Sequence, residues 1–159
     1  MNIIESKRCR NIRRVLIALF IVCGYLLSTT YAVDYIEIDG VDTFVPMTAL
    51  NLAFGAMGGS TPVRKNTVIG IVYLLIPLIG FFFMFFDKKS NIKNFVGIGC
   101  GVIGMMSILM FIGSNIGMGA LVSIFCYMLI TILSATSVLM NVQDRKKQQA
   151  APVLKKHID

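Results

Sequence analysis

Four runs of uncharged, mostly apolar residues divide the chain: Val15 to Val33, Thr67 to Phe86, Phe95 to Gly113, and Met118 to Met140. They hold 19, 20, 19 and 23 residues. At about 1.5 Å per residue even the shortest makes a helix of about 28 Å, close to the ~30 Å hydrocarbon core of a bilayer. The pattern predicts an all-α integral membrane protein, a four-transmembrane-helix bundle. Residues 1–14 then form a basic arm, 34–66 an outer segment, 87–94 an inner loop and 141–159 a basic tail.

The polar positions between the runs predict an orientation. Lys7, Arg8, Arg10, Arg13 and Arg14 precede the first run. Lys88, Lys89 and Lys93 lie between the second and third, and Arg145, Lys146, Lys147, Lys155 and Lys156 follow the fourth. With alternating spans, 13 of the 15 Lys and Arg share one side, and only Arg64 and Lys65 lie opposite. Positive charge marks the cytoplasmic side, so both termini are expected inside, N-in and C-in. Ser114 to Gly117 is an uncharged turn that folds the last two spans into an antiparallel hairpin outside. The basic start, the apolar run to Leu27 and Ser28-Thr29-Thr30-Tyr31-Ala32 also resemble a cleavable secretory signal. Thr30 and Tyr31 make an indifferent cleavage site, and the run continues to Val33, so a retained first helix is the expectation.

Between Asp34 and Asn66 the pattern changes. Asp39-Gly40 stands between two β-rich runs and suits a type I′ turn, which predicts a β-hairpin over 35–45. An isolated hairpin is marginal in water, so it must rest on the helix ends or on a partner. Met47, Leu50, Phe54 and Met57 then recur at helical spacing in an uncharged stretch, which predicts a short amphipathic helix over 46–57. Asp34, Glu37, Asp39 and Asp42 make the hairpin acidic. Their spacing does not match an EF-hand loop, so a solvated acidic face is expected rather than a calcium site. With Phe44 and Phe54 they form the expected partner surface.

Within the spans, small and hydroxylated residues carry the pattern. Gly97, Gly101 and Gly104 form one stripe on the third span, and close approach through small residues drives helix association in lipid. On the fourth span Ala120, Ser123, Tyr127, Thr131, Ser134 and Ser137 fall within an arc of about 120°. Ser123, Tyr127, Thr131 and Ser134 read either as a packing stripe or as the polar lining of a conduit, and packing is favoured because hydroxyls can bond their own helix. Pro77 removes a backbone donor in mid-span and predicts a kink.

Composition agrees with the pattern: 56% hydrophobic residues, 14% charged, and a mean hydropathy of +0.77. Soluble domains carry about 25% charged residues. The net charge of +7 is explained by the inner side. Arg13, Arg14, Lys88, Lys89, Arg145, Lys146 and Lys147 are expected to meet anionic lipids there, and no nucleic-acid partner is required. Cys9, Cys23, Cys100 and Cys126 form no C-x-x-C and read as free thiols, with Cys9 a weak candidate for acylation.

Candidate chemistry is sparse. His157 is the single histidine, no charged residue lies within a span, and no nucleotide-binding or hydrolase motif occurs. No cofactor, metal or catalytic residue is therefore expected. The plan of one span, a β-containing outer segment and three closely spaced spans resembles the layout of tetraspan proteins such as claudins. The chain has no Trp, and no cysteine between Asp34 and Asn66, so the claudin outer signature is missing and no function is carried over. The expected role is a non-enzymatic accessory or protective subunit in a plasma membrane, or bacterial inner membrane. It would engage a membrane protein, an extracellular peptide or a second copy of itself. The alternative is an oligomeric channel or transporter for a neutral solute, and a thiol-dependent membrane enzyme using Cys100 or Cys126 ranks third.

Overall fold

A computed structural model describes residues 7–38, 41–54, 67–87, 91–113 and 115–155. It is mostly helical. The elements in chain order are α1 (Lys7–Leu26), β1 (Ala32–Ile38), β2 (Val41–Met47), α2 (Ala49–Phe54), α3 (Thr67–Phe86), α4 (Ile92–Ile112) and α5 (Met118–Lys155).

Four long helices enclose one core. α1 packs on α3 and α5, and α4 packs on the same two, while α2 lies against α3. Leu16, Phe20, Cys23 and Leu27 project from one side of α1 and its end at alternating spacings of four and three. Tyr73, Ile76 and Met84 meet them from α3, Cys100 and Ile108 from α4, and Ala120, Tyr127 and Ile130 from α5.

The outward faces are apolar too. Val68 is 73% exposed, and Leu78, Phe82, Phe86, Phe95, Met110, Phe125 and Leu139 are also exposed. Among the described residues two helices are long and apolar enough to cross a membrane, over Ile92–Met110 and Met118–Asp144. α3 adds a shorter apolar stretch over Gly70–Phe86. Less than half of each of the two longer stretches is buried inside the molecule. In water such faces would be an aggregation hazard, whereas in lipid they cost nothing.

Several boundaries differ from the sequence expectation. The first run was expected to stay helical to Val33, but α1 ends at Leu26. Ser28 Oγ and Thr29 Oγ1 donate to the Tyr25 and Leu26 carbonyls, each at 2.7 Å, and satisfy the end of the helix. The hairpin reaches past 35–45 to Ala32 and Met47, in the register Ala32 to Met47, Tyr35 to Phe44 and Glu37 to Asp42. Pro46 is tolerated because β2 is an edge strand.

Of the helix expected over 46–57, the described part begins at Ala49 and runs to Phe54. Pro46 and Met47 are drawn into β2, and Thr48 Oγ1 caps the helix by accepting from the Asn51 N–H at 3.0 Å. Residues 55–57 of that expected helix lie outside the described residues. α4 starts at Ile92, inside the expected inner loop, where an Asp87 carboxylate oxygen accepts from the Lys93 backbone N–H at 3.3 Å. Gly113, at φ +61°, ends it in a conformation that suits glycine. The fourth helix does not stop at Met140 but carries α5 through the basic tail to Lys155. Gln and Ala are strong helix formers and no capping residue intervenes. Pro77 lies inside α3, which runs unbroken on both sides of it.

Candidate functional site

The hairpin is fastened to the helix ends by main-chain bonds. Tyr31 N–H donates to Met47 O at 2.8 Å, Val33 N–H to Asn115 O at 3.0 Å, and Ala49 N–H to Leu27 O at 3.1 Å. From the α4–α5 turn, Gly117 N–H donates to Tyr31 O at 2.9 Å and Gly119 N–H to Thr30 O at 2.8 Å. Ala32 and Ile116 form a further antiparallel bridge. A Cβ on Gly119 would collide with Thr29 and stand 3.0 Å from the Thr30 carbonyl. Glycine permits this closeness.

The hairpin end therefore presents a fixed surface. Phe44 on β2 is 63% exposed and Phe54 at the end of α2 is 58% exposed, with Leu50 also open. Asp34, Glu37 and Asp42 hold strand positions in the same hairpin, and the register sets Glu37 opposite Asp42. Asp39, at the turn, lies outside the described residues.

The glycine stripe of α4 faces α5. A Cβ on Gly101 would collide with Thr131 Oγ1 and lie 2.8 Å from the Tyr127 carbonyl. One on Gly104 would lie 2.8 Å from the Tyr127 ring, and one on Gly97 would meet Ser134 Oγ and Met84. The two expected stripes are thus opposite sides of one seam. Thr131 Oγ1 donates to Tyr127 O at 2.9 Å within its own helix. Ser123, Tyr127 and Ser134 are buried. As the molecule stands, these residues fill space between helices.

Beside the seam lies a group that sequence reasoning did not assemble. The rings of Tyr31 and Tyr73 are 5.3 Å apart and tilted by 54°. Tyr73 Oη donates to the Ser107 carbonyl at 3.2 Å, and Ser107 Oγ to the Gly104 carbonyl at 2.9 Å. The Tyr31 hydroxyl lies beside Ser123, yet neither oxygen is placed in hydrogen-bonding geometry with a partner. Hydropathy places Tyr31 at the end of the first span, and the early stop of α1 folds it back into the core.

At the opposite end α1, α4 and α5 are tied by polar contacts. Asn141 Nδ2 donates to Asn91 Oδ1 at 2.7 Å, and the Cys9 thiol to Asn141 Oδ1 at 3.3 Å. Cys9 is buried, which closes it to acylation in this arrangement. Arg10 and Arg14 are exposed and Arg13 is half-buried, while Lys146 is exposed on α5. Arg145 and Lys147 flank it in the helix, and Lys88 and Lys89 lie outside the described residues. All four cysteines are unbridged. Among the described residues no group of three His, Cys, Asp or Glu is placed to hold a metal ion.

Comparison with known proteins returns no matching family model, curated protein or solved structure.

Proposed function

We propose that the chain is a four-span membrane protein with both termini inside, acting as a non-enzymatic accessory or protective subunit. Its hairpin end receives a membrane protein or an extracellular peptide. One observation carries this reading: a short acidic hairpin, normally marginal, is fastened by main-chain bonds to the chain after α1 and to the α4–α5 turn, with Phe44 on it and Phe54 of the adjoining α2 exposed. A fixed aromatic patch on a hairpin of acidic sequence suits a partner with basic and apolar side chains.

The four-span arrangement has support from the short first helix. Its uncharged part, Val15 to Leu26, is only about 18 Å long. Residues 27–31 extend the crossing as irregular backbone, which lipid tolerates only where protein buries and satisfies it. Leu27 and Tyr31 are buried, and the Tyr31 N–H and the Thr30 and Tyr31 carbonyls are all bonded. The basic residues at the other end of α1 and along the extended α5 fit the positive-inside rule. The plasma membrane, or bacterial inner membrane, is the compartment this topology suits.

The channel reading finds less support, because Tyr127, Thr131 and Ser134 pack on the glycines of α4 and Ser123 is buried beside Tyr31. Purification from the native membrane in mild detergent tests the proposal. A partner should accompany the wild type and be lost from the Phe44→Ala, Phe54→Ala double variant, with thermal melting unchanged. A monodisperse monomer without a partner under native expression would overturn it.

A further inference from the structure

Along α1, Arg10, Arg13, Ile17, Phe20, Gly24 and Leu27 follow one another at spacings of three, four, three, four and three. At about 100° per residue they form one stripe, basic at its start and apolar beyond. The apolar part is also one wall of a groove. Phe20, Ile21, Gly24 and Leu27 face Leu74, Pro77, Leu78 and Phe81 of α3 across an open apolar groove of about 290 Å³. Gly24 leaves the groove unfilled: a Cβ built there meets no atom within 4 Å. Pro77, buried in the other wall, has no backbone N–H to offer there.

The dimensions select the occupant. One leaflet contributes about half of the ~30 Å hydrocarbon core, or roughly 15 Å. Eleven residues separate Arg13 from Gly24, a rise of about 16 Å. A chain starting at the arginines and running along the stripe therefore ends in the groove. Arginine is suited to a phosphate through its fork of donors, and four such side chains, Arg8, Arg10, Arg13 and Arg14, lie at this end of α1.

We propose that the groove between α1 and α3 is a site for one acidic phospholipid, with an acyl chain against Gly24 and Pro77 and the phosphate held by Arg10, Arg13 and Arg14. The site rests on the reading that the start of α1 lies at a membrane surface. It is independent of the hairpin and its partner. The bound lipid seals α1 to α3 over the stretch where side chains leave them apart.

The test uses the purified full chain in nanodiscs of phosphatidylcholine with a minority of phosphatidylglycerol, followed by native mass spectrometry of lipid retained after release. Wild type should retain phosphatidylglycerol enriched about tenfold or more over its share of the bilayer, consistent with several basic contacts near the headgroup. Gly24→Leu should abolish retention by filling the groove, and Leu78→Trp should do the same from the α3 wall. Gly99→Leu is the matched control, because a Cβ at Gly99 also meets no atom and lies outside the groove. Replacing Arg10, Arg13 and Arg14 with Gln should remove the preference for phosphatidylglycerol.

Retention by folded Gly24→Leu and Leu78→Trp at the wild-type level would overturn the proposal. So would retained lipid in the bulk ratio, or a wild-type dimer that Gly24→Leu dissolves. A result against the hairpin surface as a partner site would leave this measurement untouched.

Discussion

At the residue scale, the α4–α5 seam makes a sharp contrast between two glycines of one helix. Gly101 meets α5 backbone where its side chain would begin, and Gly99 meets nothing. Overpacking a tight site costs about 1–3 kcal/mol. Gly101→Leu should therefore lower thermal stability in detergent clearly, while Gly99→Leu leaves it near wild type. Equal melting of the two would remove the seam. Tyr73→Phe should cost about 0.5–1.5 kcal/mol, the usual worth of one hydrogen bond, through loss of the Ser107 carbonyl contact. Unfolding of this variant at the wild-type temperature would show that the phenol contributes nothing.

The glycine stripe was readable from spacing because close helix approach in lipid needs small residues at that interval. Tyr31 and Tyr73 were not readable as neighbours. One follows α1 in a turn and the other sits in α3, so their meeting depends on how the chain reverses, which no local period encodes.

Among the elements, the hairpin and its anchoring glycines form a unit. Gly119→Val should break the contact with Thr29 and Thr30 and free the hairpin while the long helices persist. Limited proteolysis should then cut the variant within residues 32–47 much faster than wild type, with little change in far-ultraviolet circular dichroism. Unchanged cleavage would show that the hairpin holds without this clamp. Apolar periodicity located the long helices well because burial and lipid both reward it. Helix ends were less legible. Ser28 and Thr29 end α1 within an uncharged run, while the helix formers around Ala150 carry α5 into a charged tail. In both places local hydrogen bonding and propensity decide where hydropathy is indifferent.

For the whole molecule, the central claim is four crossings with the hairpin outside and both termini inside. Only α4 and α5 pass on length and apolarity within the described residues, and α3 and α1 enter through their exposed apolar faces and the hydrogen-bonded segment after Leu26, in which Leu27 and Tyr31 are buried. The four buried native thiols make site-directed labelling direct. Single cysteines introduced as Asp39→Cys, Lys89→Cys and Lys155→Cys, in a chain with its native cysteines replaced by Ala, are exposed to a membrane-impermeant maleimide on intact cells. The account predicts labelling of Asp39→Cys at once, and of the other two only after the membrane is opened. Labelling of Lys89→Cys or Lys155→Cys from outside, or of all three from one side, would contradict it.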